Sequence, residues 1–142
     1  MLKLLTDLTL VARHDYDASA WVLASGKTGT FVCHGGSNDV VQPTAGNFAI
    51  PVWSESNRDE TAGWSPDIAA TGKVSTLYGK LRGVTDQYIG TPAVGDPLYV
   101  DANGKLTTVS AGNAVVIAYC TRAAYSDTYL SKLYTVIEFV TA

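Results

Sequence analysis

From Leu98 to Val140 turn residues cut the chain into short, β-branched apolar runs, a punctuation that calls for a β fold. Leu98-Tyr99-Val100 is followed by Asp101-Ala102-Asn103-Gly104, and Asn-Gly is a strong turn signal because both residues tolerate positive φ. Leu106 to Val109 resumes with β-branched residues, and Ser110-Ala111-Gly112-Asn113 breaks the chain again. Val115-Val116-Ile117-Ala118-Tyr119 is unbroken, apolar and too short for most helices, which predicts a strand buried on both faces. Leu133 to Val140 closes the chain, with Leu133, Ile137 and Phe139 expected on one face and Tyr134, Val136 and Val140 on the other. Strands at this spacing predict a mainly β fold, a small β-barrel or β-sandwich.

The middle is also strand-rich. Phe48, Ile50 and Val52 alternate, with Pro51 marking an edge or a strand end, and Val74, Thr76 and Tyr78 alternate before Gly79. Between them Ser54 to Pro66 reads as a long polar loop flanked by Trp53 and Trp64. Each indole can bury about 200 Å2, enough to pin the base of such a loop to the body.

The first fifteen residues fit two periods. Leu2, Leu4, Leu8 and Leu10 suit an extended strand, while Leu4, Leu8 and Val11 suit one helical face. His14-Asp15-Tyr16-Asp17 then reads as a polar break before Trp21-Val22-Leu23. The division this predicts is an N-terminal arm over residues 1–15 and a single β domain over 16–142. Extended, an arm of thirteen residues reaches roughly 45 Å, about three times the radius of gyration of such a domain. It is expected to pack on a neighbour rather than on its own core.

Composition narrows the partners. Charged residues make up 16% of the chain, below the roughly 25% of ordinary soluble domains, beside eight Tyr and three Trp. That balance suits surface that meets other protein. A net charge of -3 with scattered Lys and Arg argues against nucleic acid. The N-terminal apolar run is interrupted by Lys3 and Asp7 and lacks a cleavage pattern, and no apolar stretch is long enough for a membrane helix. Neither secretion by that route nor a membrane partner is expected. Cys33 and Cys120 sit in apolar runs, where a thiol behaves as a small hydrophobe, so both are expected buried and unpaired.

No catalytic set emerges from the motifs. His14 beside Asp15 and Asp17 reads as a solvated turn rather than an acid–base pair. Cys33 and His34 are adjacent, so on a strand they face opposite ways and cannot share a proton. Gly26-Lys27-Thr28 lacks the upstream Gly of a phosphate loop, with Trp21 in its place. Zinc spacings, the nucleophile elbow and the dinucleotide turn are absent from the sequence. Asp96, Asp101 and Asn103 miss the calcium-loop spacing and fit turn chemistry. No catalytic, cofactor-binding or metal-binding residue is expected, and no cofactor.

The segment Thr91-Pro92-Ala93-Val94-Gly95-Asp96-Pro97-Leu98-Tyr99-Val100-Asp101-Ala102-Asn103-Gly104-Lys105-Leu106-Thr107-Thr108 resembles a recurrent hairpin of capsid decoration (cement) proteins of tailed bacteriophages. The apolar run Ala114 to Tyr119 follows it as in those proteins. Pro51-Val52-Trp53-Ser54-Glu55-Ser56-Asn57-Arg58 and Leu77-Tyr78-Gly79-Lys80 are also similar to phage head sequences. The resemblance covers about Phe48 to Tyr119, half of the chain.

It implies a small β-barrel-like virion protein, made in the host cytoplasm, that binds the outer surface of an expanded capsid. It would form a homotrimer there and tie the major capsid protein's capsomers together. No catalytic residue comes with it. With the arm, the expected capsid or subunit contacts are Leu2, Leu4, Leu5, Leu8, Leu10, Trp53 and Trp64. The alternatives are a carbohydrate- or receptor-binding β domain stacking its aromatics on sugars, and a tail-tube or tail-terminator subunit.

Overall fold

A computed structural model describes residues 1–5, 12–44, 49–51, 58–59, 63–64, 71–110, 115–129 and 131–142. The fold is mainly β, as expected. In chain order the elements are β1 (Leu2–Leu4), β2 (Ala12–Ala18), α1 (Ala20–Ser25), β3 (Phe31–His34), β4 (Asp39–Val41), β5 (Ala49–Pro51), β6 (Arg58–Asp59) and β7 (Gly63–Trp64). They continue with β8 (Lys73–Tyr78), β9 (Arg82–Thr85), β10 (Tyr88–Ile89), β11 (Pro97–Val100), β12 (Leu106–Thr107), β13 (Ala118–Tyr129) and β14 (Lys132–Thr141). Among the described residues they form a seven-stranded sheet, β1-β9-β14-β13-β11-β12-β10, and a five-stranded sheet, β5-β3-β4-β2-β8. Among the same residues β6 and β7 pair only with each other. Pairing is antiparallel except for β10 with β12 and β2 with β4. The smaller sheet curls until its edge strands β5 and β8 lie against each other, and Pro51 ends one of those edges.

Period-two alternation sorts the side chains between layers. On β3, Phe31 and Cys33 turn toward the larger sheet while Val32 turns away. Phe31, Cys33 and Leu77 meet Leu98, Leu106, Cys120, Ile137 and Phe139 to form the core between the sheets. The other face of the smaller sheet, with Tyr16, Val32, Val40 and Val74, is covered by α1 through Val22. That helix starts where Ser19 caps it, its hydroxyl accepting the Val22 N–H, and stops after six residues at Gly26.

The Asn103-Gly104 turn forms where expected, but only Gly104 takes positive φ, at 74°. The Asp101 carboxylate organises it, accepting the N–H groups of Asn103 (2.9 Å) and Lys105 (2.8 Å). The turn also ties the sheets together, since Phe31 N–H donates to the Gly104 carbonyl at 2.8 Å.

Three expectations are corrected. The N-terminus is no free arm over its first residues: β1 pairs with β9, Leu2 opposite Thr85 and Leu4 opposite Gly83, and Leu2 is 2% exposed in the main core. An apolar side chain on a strand bonded to the sheet gains more by packing there than by waiting for a partner. The arm's boundary at residue 15 falls inside β2, so His14 to Asp17 is strand rather than break. Its polar groups are satisfied in place: Ser75 donates to Asp15 at 2.6 Å, and Lys73 pairs with Asp17 at 3.1 Å. Finally, the strand expected over Val115 to Tyr119 begins only at Ala118, with Val115 exposed, and then runs on through twelve residues to Tyr129.

Both cysteines are buried and free, as expected. Burial pushes both thiols above their usual pKa, which suits a packing role.

Candidate functional site

The face of the seven-stranded sheet turned away from the core carries a connected set of polar and aromatic groups. Alternation along β1 sends Leu2 inward and Met1 and Lys3 outward. Outward with them point Val84 of β9 and Val136 of β14, with half-buried Tyr125, Tyr129 and Tyr134 packed on this small cluster. At its rim the Met1 amino group bonds Asp86 and the Thr28 carbonyl. Lys3 reaches across to Asp127 at 3.3 Å.

At the centre lies Glu138, a charged residue only 8% exposed. Arg82 donates to one carboxylate oxygen at 2.9 Å, and Arg122 and the Tyr125 hydroxyl donate to the other at 3.3 and 3.2 Å. The Arg122 guanidinium also lies 3.6 Å from the Tyr125 ring centroid. Burial alone would raise the Glu138 pKa, but these three donors outweigh it and hold the group below the usual 4.5. The Tyr125 hydroxyl moves the other way, raised first by burial and then by the carboxylate it serves.

A carboxyl whose pKa is lower folded than unfolded stabilises the fold above the unfolded value, and that contribution fades as pH falls toward the folded one. Glu138→Gln is therefore expected to lower stability by about 1–3 kcal/mol near neutrality, water at the half-exposed guanidiniums limiting the loss. The gap from the parent protein should narrow as pH drops below 4.5. Denaturant melts on both sides of that pH check it, and a gap independent of pH would refute the assignment.

The expected contact residues do not gather into one site. Leu2 is in the core and unavailable to a partner, Leu4 packs half-buried against that core, and Leu5 is 41% exposed at the sheet edge. Trp64 lies on β7 opposite Arg58, while Leu8, Leu10 and Trp53 lie outside the described residues.

The histidines occupy the opposite side of the protein. His14 and His34, from β2 and β3, flank Tyr16 with ring centroids 4.4 and 5.0 Å away, and His14 Nε2 bonds Asn38 Oδ1 at 3.2 Å. His14 and the two neighbouring aspartates face opposite ways along β2, as Cys33 and His34 do on β3. Among the described residues no three His, Cys, Asp or Glu side chains converge as metal ligands, and no helix is long and apolar enough to cross a membrane.

The Glu138 cluster escaped the sequence reading, although a signal was present. Glu138 is the one charge in the run Val136-Ile137-Glu138-Phe139-Val140, and a charge inside an apolar strand implies a buried partner. The chain matches no known protein family, no curated protein and no solved structure in the comparisons made.

Proposed function

We propose that this protein is a capsid decoration protein that binds the outer surface of an expanded phage capsid and stabilises the contacts between capsomers. The observation that carries the reading is the Thr91 to Thr108 segment, which resembles the recurrent cement-protein hairpin. This segment forms β11 and β12, with Tyr99 opposite Thr107 and the Asp101 turn between them. A mainly β fold and a sparsely charged, Tyr-rich chain support it further. Under this reading the protein is non-enzymatic, resides on the virion, associates as a homotrimer, and has the major capsid protein as its partner. Nucleic acid and membrane have no part in it.

The mechanism is mass action. A ligand that binds the assembled shell but not its free subunits stabilises the shell by about 2.7 kcal/mol per site at a hundredfold excess over Kd. Summed over a lattice, modest contacts become a large resistance to separation. Purified protein is expected to bind expanded capsids, to survive moderate salt because few charges take part, and to raise capsid survival on heating. Equal survival at saturating occupancy would remove the stabilising role, and failure to bind would remove the decoration reading.

A further inference from the structure

The hairpin of β13 and β14 outruns the sheet that carries it. β9 pairs with β14 only over Ile137 to Val140, and β11 pairs with β13 only at Ala118 and Tyr119. On that side the last backbone bond runs from the Gly95 N–H to the Cys120 carbonyl. From Tyr125 to Tyr129, among the described residues, the backbone of β13 pairs with β14 alone and no strand occupies its other edge. The register slips between Cys120 and Tyr125 but is regular from Tyr125 onward, up to the reversal at Ser131, where φ is 66°. Bulges blunt an edge, so the part open to a further strand is this regular stretch.

That stretch reads Tyr125-Ser126-Asp127-Thr128-Tyr129, the same chemistry in both directions: phenol, hydroxyl, carboxylate, hydroxyl, phenol. Two antiparallel strands related by a two-fold axis place each residue opposite its mirror, so a chemically palindromic strand matches itself. We infer that the Tyr125–Tyr129 edge pairs with the same edge of a second copy, antiparallel about a two-fold axis at Asp127.

In this register each Tyr125 faces the other copy's Tyr129, and each Ser126 faces Thr128, both favourable cross-strand combinations. The tyrosines and Asp127 share the outer face, while the exposed Ser126 and Thr128 share the other. The two Asp127 carboxylates meet at the axis, each already held by its own Lys3. The ribbon's other charges are also engaged within the chain, Arg122 on Glu138 and Lys132 over Tyr134. The four charges that β13 and β14 carry, Arg122, Asp127, Lys132 and Glu138, sum to zero, so the ribbon itself does not select an oppositely charged partner. What it offers is main-chain pairing and a self-matching pattern, which a second copy supplies. The contact is independent of the capsid reading, and being two-fold it differs from the proposed three-fold association. A chain with both would link one trimer to the next.

Cross-linking in the full chain tests the register. Facing residues of an antiparallel pair have Cα atoms about 4.5–5.5 Å apart, within the roughly 4.4–6.8 Å span of a disulfide. Asp127→Cys, lying on the axis, is expected to form a disulfide-linked dimer by itself under mild oxidation. Ser126→Cys and Thr128→Cys should link several-fold more when mixed than either does alone. The parent chain, with Cys33 and Cys120 buried, supplies the background. If Asp127→Cys fails to fold, the mixture at the two exposed positions carries the same test. Absence of a 127–127 link in folded protein, or linkage of Ser126→Cys to itself as readily as to Thr128→Cys, overturns the pairing. Capsid binding that persists in such a case leaves the proposed function standing.

Discussion

Replacing Phe139 with alanine is expected to cost about 3–5 kcal/mol, a large share of the roughly 5–15 kcal/mol that holds a domain of this size together. Phe139 is fully buried on β14, between Cys120 of β13 and Gly83 of β9. Its ring meets Phe31 of the other sheet edge-to-face, centroids 6.0 Å apart. It therefore sits in the core that the two sheets share. The neighbours have little freedom to close the hole, because the strand on each side is fixed by its ladder. Gly83 has already yielded all the space it can: a Cβ there would come 3.1 Å from the Phe139 ring. Denaturant melts should show a lower midpoint with unchanged slope. Leu133→Ala, at a site 68% exposed, should stay within about 0.5 kcal/mol of the parent. A loss below about 1 kcal/mol for Phe139→Ala would mean that the sheets do not depend on this contact.

Gly104→Ala is expected to cost on the order of 3 kcal/mol, although it adds a single methyl group. Two causes combine. The φ of 74° is a conformation that alanine adopts only under strain. The new Cβ would also lie 2.2 Å from the Thr30 methyl and 2.4 Å from the Phe31 carbonyl oxygen, and the latter is backbone. Relieving that clash means separating the turn from β3, which breaks the bond between the Phe31 N–H and the Gly104 carbonyl. Gly95 also has positive φ, 92°, but nothing lies within 4 Å of its added Cβ. Gly95→Ala should thus lose only the strain component. Equal losses at the two glycines would show that close approach contributes nothing at Gly104.

The fold class was legible because its signals are local. Turn chemistry at Asp101 to Gly104 and alternation through Val74 to Tyr78 depend on neighbours within a few residues, and both form as read. The smallness and burial of the thiols were legible for the same reason. The N-terminal misreading has a different cause. Leu2 carries no mark of its destination, because its partner β9 lies far along the chain and only tertiary pairing decides between core and arm. The distal half of β13 was invisible for the opposite reason. Thr121 to Thr128 carries almost no apolar alternation, since much of the ribbon is open to water and its strand is held by β14 alone. The Glu138 cluster draws on β9, β13 and β14, so residue spacing could flag the buried charge but could not name Arg82 or Arg122 as its partners.

The place of β9 between β1 and β14 has a consequence for the protein's birth on the ribosome. Leu2 emerges ahead of its ladder partner Thr85, which follows roughly eighty residues later, about 4–16 s at ordinary elongation rates. Even then β9 lacks its other neighbour, because β14 follows roughly fifty residues further on. The β1–β9 pair therefore joins the rest of the larger sheet only after β14 has been made. The nascent β1, with its two leucines and unsatisfied backbone, waits for β9, and the β13–β14 hairpin then joins that pair to the other strands of the sheet.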